Sequence, residues 1–108
     1  MSGAEQRRSL SNHIEHDSIN IGAASSMTFH MGSGTDDATN RYLNLPDGIA
    51  YGINMIPTVA CSITAINDRT LKAAMSVGTG GWIEPNARIK NFTVVAGSAT
   101  VVEVEGKA

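Results

Sequence analysis

The sequence predicts an all-β fold, a small antiparallel β-sandwich or jelly-roll-like barrel of about seven or eight short strands. From Ile49 to the C-terminus, apolar residues alternate with small polar ones, which is typical of strands that bury one face. Turn-forming residues interrupt this pattern at spacings of roughly 8–12 residues, as expected for consecutive short strands. The outward positions are mainly Ser, Thr, Asn and Gly.

The N-terminal region differs in composition, so we predict a polar arm over residues 1–17 and a β-sandwich domain over residues 18–108. Leu10 and Ile14 are the main apolar residues of this arm, and their spacing of four would place them on one helical face. An isolated helix of this length is marginal in water. We therefore expect an extended arm that becomes ordered against a neighbour, with Leu10 and Ile14 as interface contacts.

Strand patterns begin at Ile19. Before the middle of the chain we expect strands at residues 19–21, 27–31, 41–45 and 51–55. The loop at residues 32–37 contains two glycines and two aspartates, which disfavour regular structure. Pro46-Asp47-Gly48 predicts a turn, because Pro presets φ and Gly accepts positive φ.

Two hairpins are predicted in the second half of the chain. Residues 58–66 and 70–77 form the first, joined by Asn67-Asp68-Arg69. Residues 87–95 and 100–105 form the second. Between them lies a connection that contains the only tryptophan, Trp82. This residue either anchors an interface, as Trp often does, or closes one end of the core.

The composition indicates a single small domain with a thin core. The chain has 108 residues, a net charge of −2 and few aromatic residues, so the core must consist of Val, Ile, Ala and Met. We expect such a core to be stabilised by oligomerisation or by docking on a larger assembly. No basic run exceeds Arg7-Arg8, which argues against nucleic-acid binding through phosphate neutralisation.

The number of cysteines and the hydropathy of the chain indicate the cellular compartment in which the protein is made. Cys61 is the single cysteine, which excludes an intramolecular disulfide, and its place in an alternating strand predicts a small buried apolar residue. The first residues are polar and no apolar run approaches about 20 residues, so we expect neither a signal peptide nor a membrane span. These features predict a protein made in a reducing cytoplasm.

The potentially reactive residues of the sequence predict no catalytic residue, no cofactor and no metal. His13-Ile14-Glu15-His16-Asp17 lacks the spacing of metalloprotease zinc ligands, and Asp36-Asp37 lacks the further ligands of a calcium loop. Gly78-Thr79-Gly80-Gly81 lacks the Lys-Ser/Thr of a phosphate loop. His30 falls on the outward side of its strand, where we expect a surface or interface position.

Three segments of the second half are similar in style to small virion proteins of tailed bacteriophages: residues 65–71 (AINDRTL), 80–85 (GGWIEP) and 89–94 (IKNFTV). The chain resembles capsid decoration (cement) proteins and fibre-base modules. That resemblance implies a non-enzymatic protein, commonly a homotrimer, that bridges neighbouring subunits of a major capsid protein. It also implies a location on the virion surface after synthesis in the host cytoplasm.

Two other functions stay open at this point. A tail, neck or fibre-attachment module would have the same chemistry at another position in the virion. A small carbohydrate-binding β-sandwich would need exposed aromatic side chains on one face, and Tyr42, Tyr51 and Trp82 are the candidates.

Overall fold

The computed structural model describes residues 13–108, which form nine β-strands and no helix. The strands are β1 (Ile14–Ile21), β2 (Ser25–His30), β3 (Asn40–Tyr42), β4 (Gly52–Pro57), β5 (Cys61–Ile66), β6 (Arg69–Val77), β7 (Trp82–Glu84), β8 (Asn91–Ala96) and β9 (Thr100–Lys107). The predicted all-β class is confirmed, with one strand more than the upper estimate. Within the described part of the chain, no helix could span a membrane.

The strands form two sheets. Sheet A has four strands in the order β1-β9-β4-β7, and sheet B has five in the order β3-β2-β8-β5-β6. All neighbouring strands pair antiparallel except β2 and β3, which are parallel. Buried side chains from both sheets belong to one core cluster, which makes the arrangement sandwich-like.

The core is mainly aliphatic, with three aromatic rings at its centre. Phe29 of β2 stacks on Phe92 of β8 with ring centroids 5.2 Å apart, and Trp82 meets Phe92 edge-on at 5.3 Å. Around these rings the core contains mostly Ile, Val, Met, Leu and Ala. Cys61 is buried as predicted, and the loss of hydration raises the pKa of its thiol.

The prediction for the first hairpin is confirmed, and that for the second is wrong. Strands β5 and β6 pair antiparallel across a turn that is one residue shorter than predicted, because β6 already begins at Arg69. By contrast, β8 lies in sheet B and β9 in sheet A, so residues 97–99 cross between the sheets. Each of the two strands buries its alternate residues, and crossing lets both apolar faces meet in the core.

The boundary predicted for the N-terminal arm is also wrong. Residues 14–17 belong to β1, which pairs with β9 from Ile14↔Lys107 to Ile21↔Thr100. Charged residues are compatible with this position because β1 is an edge strand, where charge is well tolerated. The rest of the predicted arm, including Leu10, lies outside the described residues, except for His13.

Trp82 lies in strand β7 rather than in a loop, and its ring is in the core. Only 8% of the residue is exposed. Its indole Nε1–H donates a hydrogen bond to Glu84 Oε1 at 3.2 Å, which satisfies the one polar atom of the ring. Trp82 is therefore a core residue, and its ring is not accessible to a partner, which argues against the predicted interface position.

Candidate docking face

The outer face of sheet A is the candidate functional site. Residues directly opposite each other in antiparallel strands point to the same side, so the strand register defines which side chains share this face. Its members are Ile14, His16, Ser18 and Asn20 of β1; Val101, Glu103, Glu105 and Lys107 of β9; Gly52, Asn54 and Ile56 of β4; and Ile83 of β7.

Two carboxylates lie at the centre of this face. Glu105 of β9 lies between His16 of β1 and Asn54 of β4, and Asn54 is in turn opposite Ile83 of β7. Glu103 lies one row further along β9. Its flanking residues are Ser18 of β1 and Ile56 of β4. Val102 and Val104 are completely buried, and this alternation points both carboxylates outward.

Three exposed isoleucines share this face with the two carboxylates. Ile83 is 62% exposed, Ile14 is 50% exposed and Ile56 is 39% exposed. The other large apolar residues that are exposed in residues 13–108 are Tyr51 and Val59, outside the strands. A group of exposed apolar side chains with polar neighbours is typical of a protein-binding surface.

Two adjoining grooves run along this face. His16, Ile56, Glu103, Glu105 and Asn54 line a groove of about 80 Å³. The second groove has a volume of about 230 Å³ and shares Asn54 and Glu105 with the first. Asn54 Oδ1 is buried and has no hydrogen-bond partner, which is costly for an amide oxygen.

The two central carboxylates form no ion pair within the described part of the chain. The ion pairs of residues 13–108 are His13–Glu15, Asp17–Arg41 and Asp36–Arg41. None of these pairs includes Glu103 or Glu105. The centre of the outer face of sheet A therefore presents carboxylate acceptors beside the apolar side chain of Ile56.

The outer face of sheet B has a different character. Thr28 and Thr93 hydrogen-bond each other through their hydroxyls at 2.9 Å. His30 lies on the same face, where its Nε2 is 2.8 Å from Asn40 Oδ1 and its ring stacks on Tyr42 with centroids 4.5 Å apart. This face matches the predicted small polar surface, whereas the outer face of sheet A carries isoleucines and carboxylates instead.

The four predicted interface residues do not form one site. Ile14 lies on the outer face of sheet A, His30 lies on the outer face of sheet B, and Trp82 is in the core. Leu10 lies outside the described residues. The alternation of Val102 and Val104 with Glu103 and Glu105 indicates that the two carboxylates point outward. Nothing in the local sequence indicates that Ile56 and Ile83 lie on the same face as these carboxylates.

The other candidate groups of the sequence do not converge either. Among residues 13–108, no cluster of three or more His, Cys, Asp or Glu could hold a metal ion. His13 hydrogen-bonds Glu15 at 2.8 Å, and Glu15 points to the opposite side of β1 from His16. Of the aromatic residues considered for sugar binding, Tyr51 is exposed, Tyr42 is stacked on His30 and Trp82 is buried.

Comparisons of the chain with protein-family models, curated proteins and solved structures found no match.

Proposed function

We propose that this chain is a non-enzymatic structural protein of a virion, of the capsid-decoration type. In this proposal the outer face of sheet A binds the assembled shell and bridges neighbouring subunits of the capsid protein. The supporting observation is the group of exposed isoleucines, Ile14, Ile56 and Ile83, on the same face as Glu103 and Glu105. The chain acts as a homo-oligomer, a homotrimer by its resemblance to decoration proteins.

The energetics of this face favour a partner of different composition. Burying one isoleucine side chain stabilises a complex by roughly 1.5–3 kcal/mol, so this group can supply much of the driving force. Two copies that met face to face across a two-fold axis would bring their carboxylates together, which is unfavourable. The homo-oligomer therefore uses another surface and leaves this face free for the shell.

Cosedimentation with assembled, undecorated capsid shells tests the proposal. Ile83→Asp places a charge at the most exposed isoleucine of the proposed contact and should weaken shell binding by about tenfold or more. Val59→Asp is the matched control, because Val59 is also exposed (41%) but lies outside sheet A, and it should bind like the unmodified protein. Equal binding by both variants would overturn the proposal.

The mass in solution tests the oligomeric part of the proposal. Light scattering should give about three times the chain mass of 11.3 kDa. A monomer without affinity for shells would contradict the proposed function. Binding to purified tail or neck assemblies, but not to shells, would instead support the attachment-module alternative.

A further inference from the structure

We infer that the centre of the outer face of sheet A binds an arginine side chain from an extended segment of the partner protein. This inference names the partner chemistry of the proposed docking face, and so it rests on the proposed function. The arginine lies in the groove lined by His16, Asn54, Ile56, Glu103 and Glu105.

The groove offers acceptors that lack donors. Glu103 and Glu105 are outside the ion pairs of residues 13–108, and Asn54 Oδ1 has no hydrogen-bond partner. A guanidinium carries five N–H donors in a plane and can bond a carboxylate through two of them at once. One arginine therefore supplies enough donors for both carboxylates and for the amide oxygen, which a turn of the Asn54 side chain about its loosely restricted χ2 would present.

Arginine fits this groove better than lysine does. The groove wall includes Ile56, and Ile83 lies opposite Asn54 on the next strand. The methylene stem of an arginine can cover these isoleucines while its charged end reaches the carboxylates. A guanidinium is also less strongly hydrated than an ammonium, so its transfer into a half-apolar groove is less costly.

The arrangement of the two grooves indicates an extended segment. They adjoin at Asn54 and Glu105, and the second continues along the sheet to Ile83 and Lys107. In an extended chain, alternate side chains lie about 6.6–6.8 Å apart and point to the same side. An arginine in the first groove therefore places the side chain two residues away in the second, where Ile83 favours an apolar residue.

Asn54 gives the inference a distinctive consequence. Asn54 lies beside Glu105 in the groove, and after a turn about χ2 its amide oxygen would accept a hydrogen bond from the bound guanidinium. Asn54→Val should therefore weaken arginine binding by about fivefold to tenfold without lowering the midpoint of thermal unfolding of the free protein. A residue with a purely structural role would not separate these two effects.

Calorimetry with the full chain and synthetic peptides is the test. The probe is acetyl-Ser-Arg-Ser-Val-Ser-amide, in which the arginine and the valine two residues away point to the same side of an extended chain, with the corresponding lysine peptide for comparison. Glu105→Gln should weaken binding of the arginine peptide about tenfold. Asp47→Asn is the matched control, because it removes the same charge at an exposed turn and should leave affinity unchanged.

The outcomes distinguish the inference from the proposed function. The inference would be overturned if the protein bound the arginine and lysine peptides with equal affinity. It would also be overturned if the Glu105→Gln variant bound the arginine peptide as tightly as the unmodified protein does. A peptide with the sequence of residues 1–12, which contains Arg7-Arg8, is a second probe. Stronger binding of this peptide would identify the N-terminal segment of this chain as the ligand of the groove and would overturn the inference of a partner arginine. If Ile83→Asp abolishes shell binding but Glu105→Gln does not, only the arginine site fails. If neither variant affects shell binding, the proposed function fails.

Discussion

Asp17 and Arg41 form a bidentate ion pair that joins the edges of the two sheets. Arg41 donates from Nε to Asp17 Oδ2 and from an Nη to Asp17 Oδ1, both at 2.9 Å. Asp17 belongs to β1 of sheet A and Arg41 to β3 of sheet B. The hydrogen bonds to Asp17 raise the pKa of the Arg41 guanidinium further, so Arg41 stays charged. The pair closes one side of the sandwich.

Asp17→Asn should lower the free energy of unfolding by about 1–2 kcal/mol, because Arg41 loses its charged acceptor while partly buried. Urea denaturation measures the change. A double-mutant cycle with Arg41→Met should give a coupling energy of about 1 kcal/mol. Additive effects of the two substitutions would show that the ion pair does not hold the sheet edges together.

The turn between β5 and β6 should be sensitive to its backbone conformation. Asn67 and Asp68 have positive φ angles of 53° and 63°, as in a type I′ turn. Asn67 also accepts a hydrogen bond from Lys90 N–H at 2.6 Å and donates one to the Arg88 carbonyl at 2.8 Å. Both Asn67→Gly and Asn67→Ala lose these bonds, but only Ala also strains the backbone. The Asn67→Ala variant should therefore be less stable than the Asn67→Gly variant by about 1 kcal/mol in thermal unfolding. A more stable Ala variant would contradict this prediction.

Gly81 should not tolerate a side chain. It has a φ of 92°, and a Cβ at this position would approach Met55 O at 2.8 Å and Ile56 Cγ1 at 3.0 Å. Gly81→Ala should cost about 1–3 kcal/mol of stability and displace Ile56 on the outer face of sheet A. Gly78→Ala is the control, because nothing lies within 4 Å of its Cβ position. Equal stability of the two variants, measured by thermal unfolding, would contradict the prediction.

Cys61 should react slowly with alkylating reagents in the folded protein, because burial raises the pKa of its thiol and suppresses the thiolate. The unfolded chain loses the thiol proton at lower pH than the folded protein does. Stability is therefore retained below the ordinary thiol range and falls as pH rises through it. Urea denaturation between pH 7 and about 10 should show this fall, and Cys61→Ala should reduce it. Identical pH profiles for the two proteins would exclude a contribution from Cys61.

The sequence alone determined the local features of this protein. Alternation predicted which side chains of β9 are buried, placed Cys61 in the core, and identified the all-β class. The turn at Pro46-Asp47-Gly48 was also predictable, and Gly48 has the expected positive φ of 69°. These features depend on residues that are close in sequence, because strand pleating and turn conformation are set by neighbouring dihedral angles.

Only the tertiary structure decided how the strands are ordered. Pairing of β1 with β9, and of β9 with β4, brought Ile14, Ile56 and Ile83 to the same face as Glu103 and Glu105. It also buried Trp82, extended the domain to Ile14 and separated β8 from β9. Each strand has one apolar side that several partners could cover, so the sequence pattern identifies the buried side without identifying the neighbour. The outer face of sheet A exists only because residues far apart in sequence pair in this order.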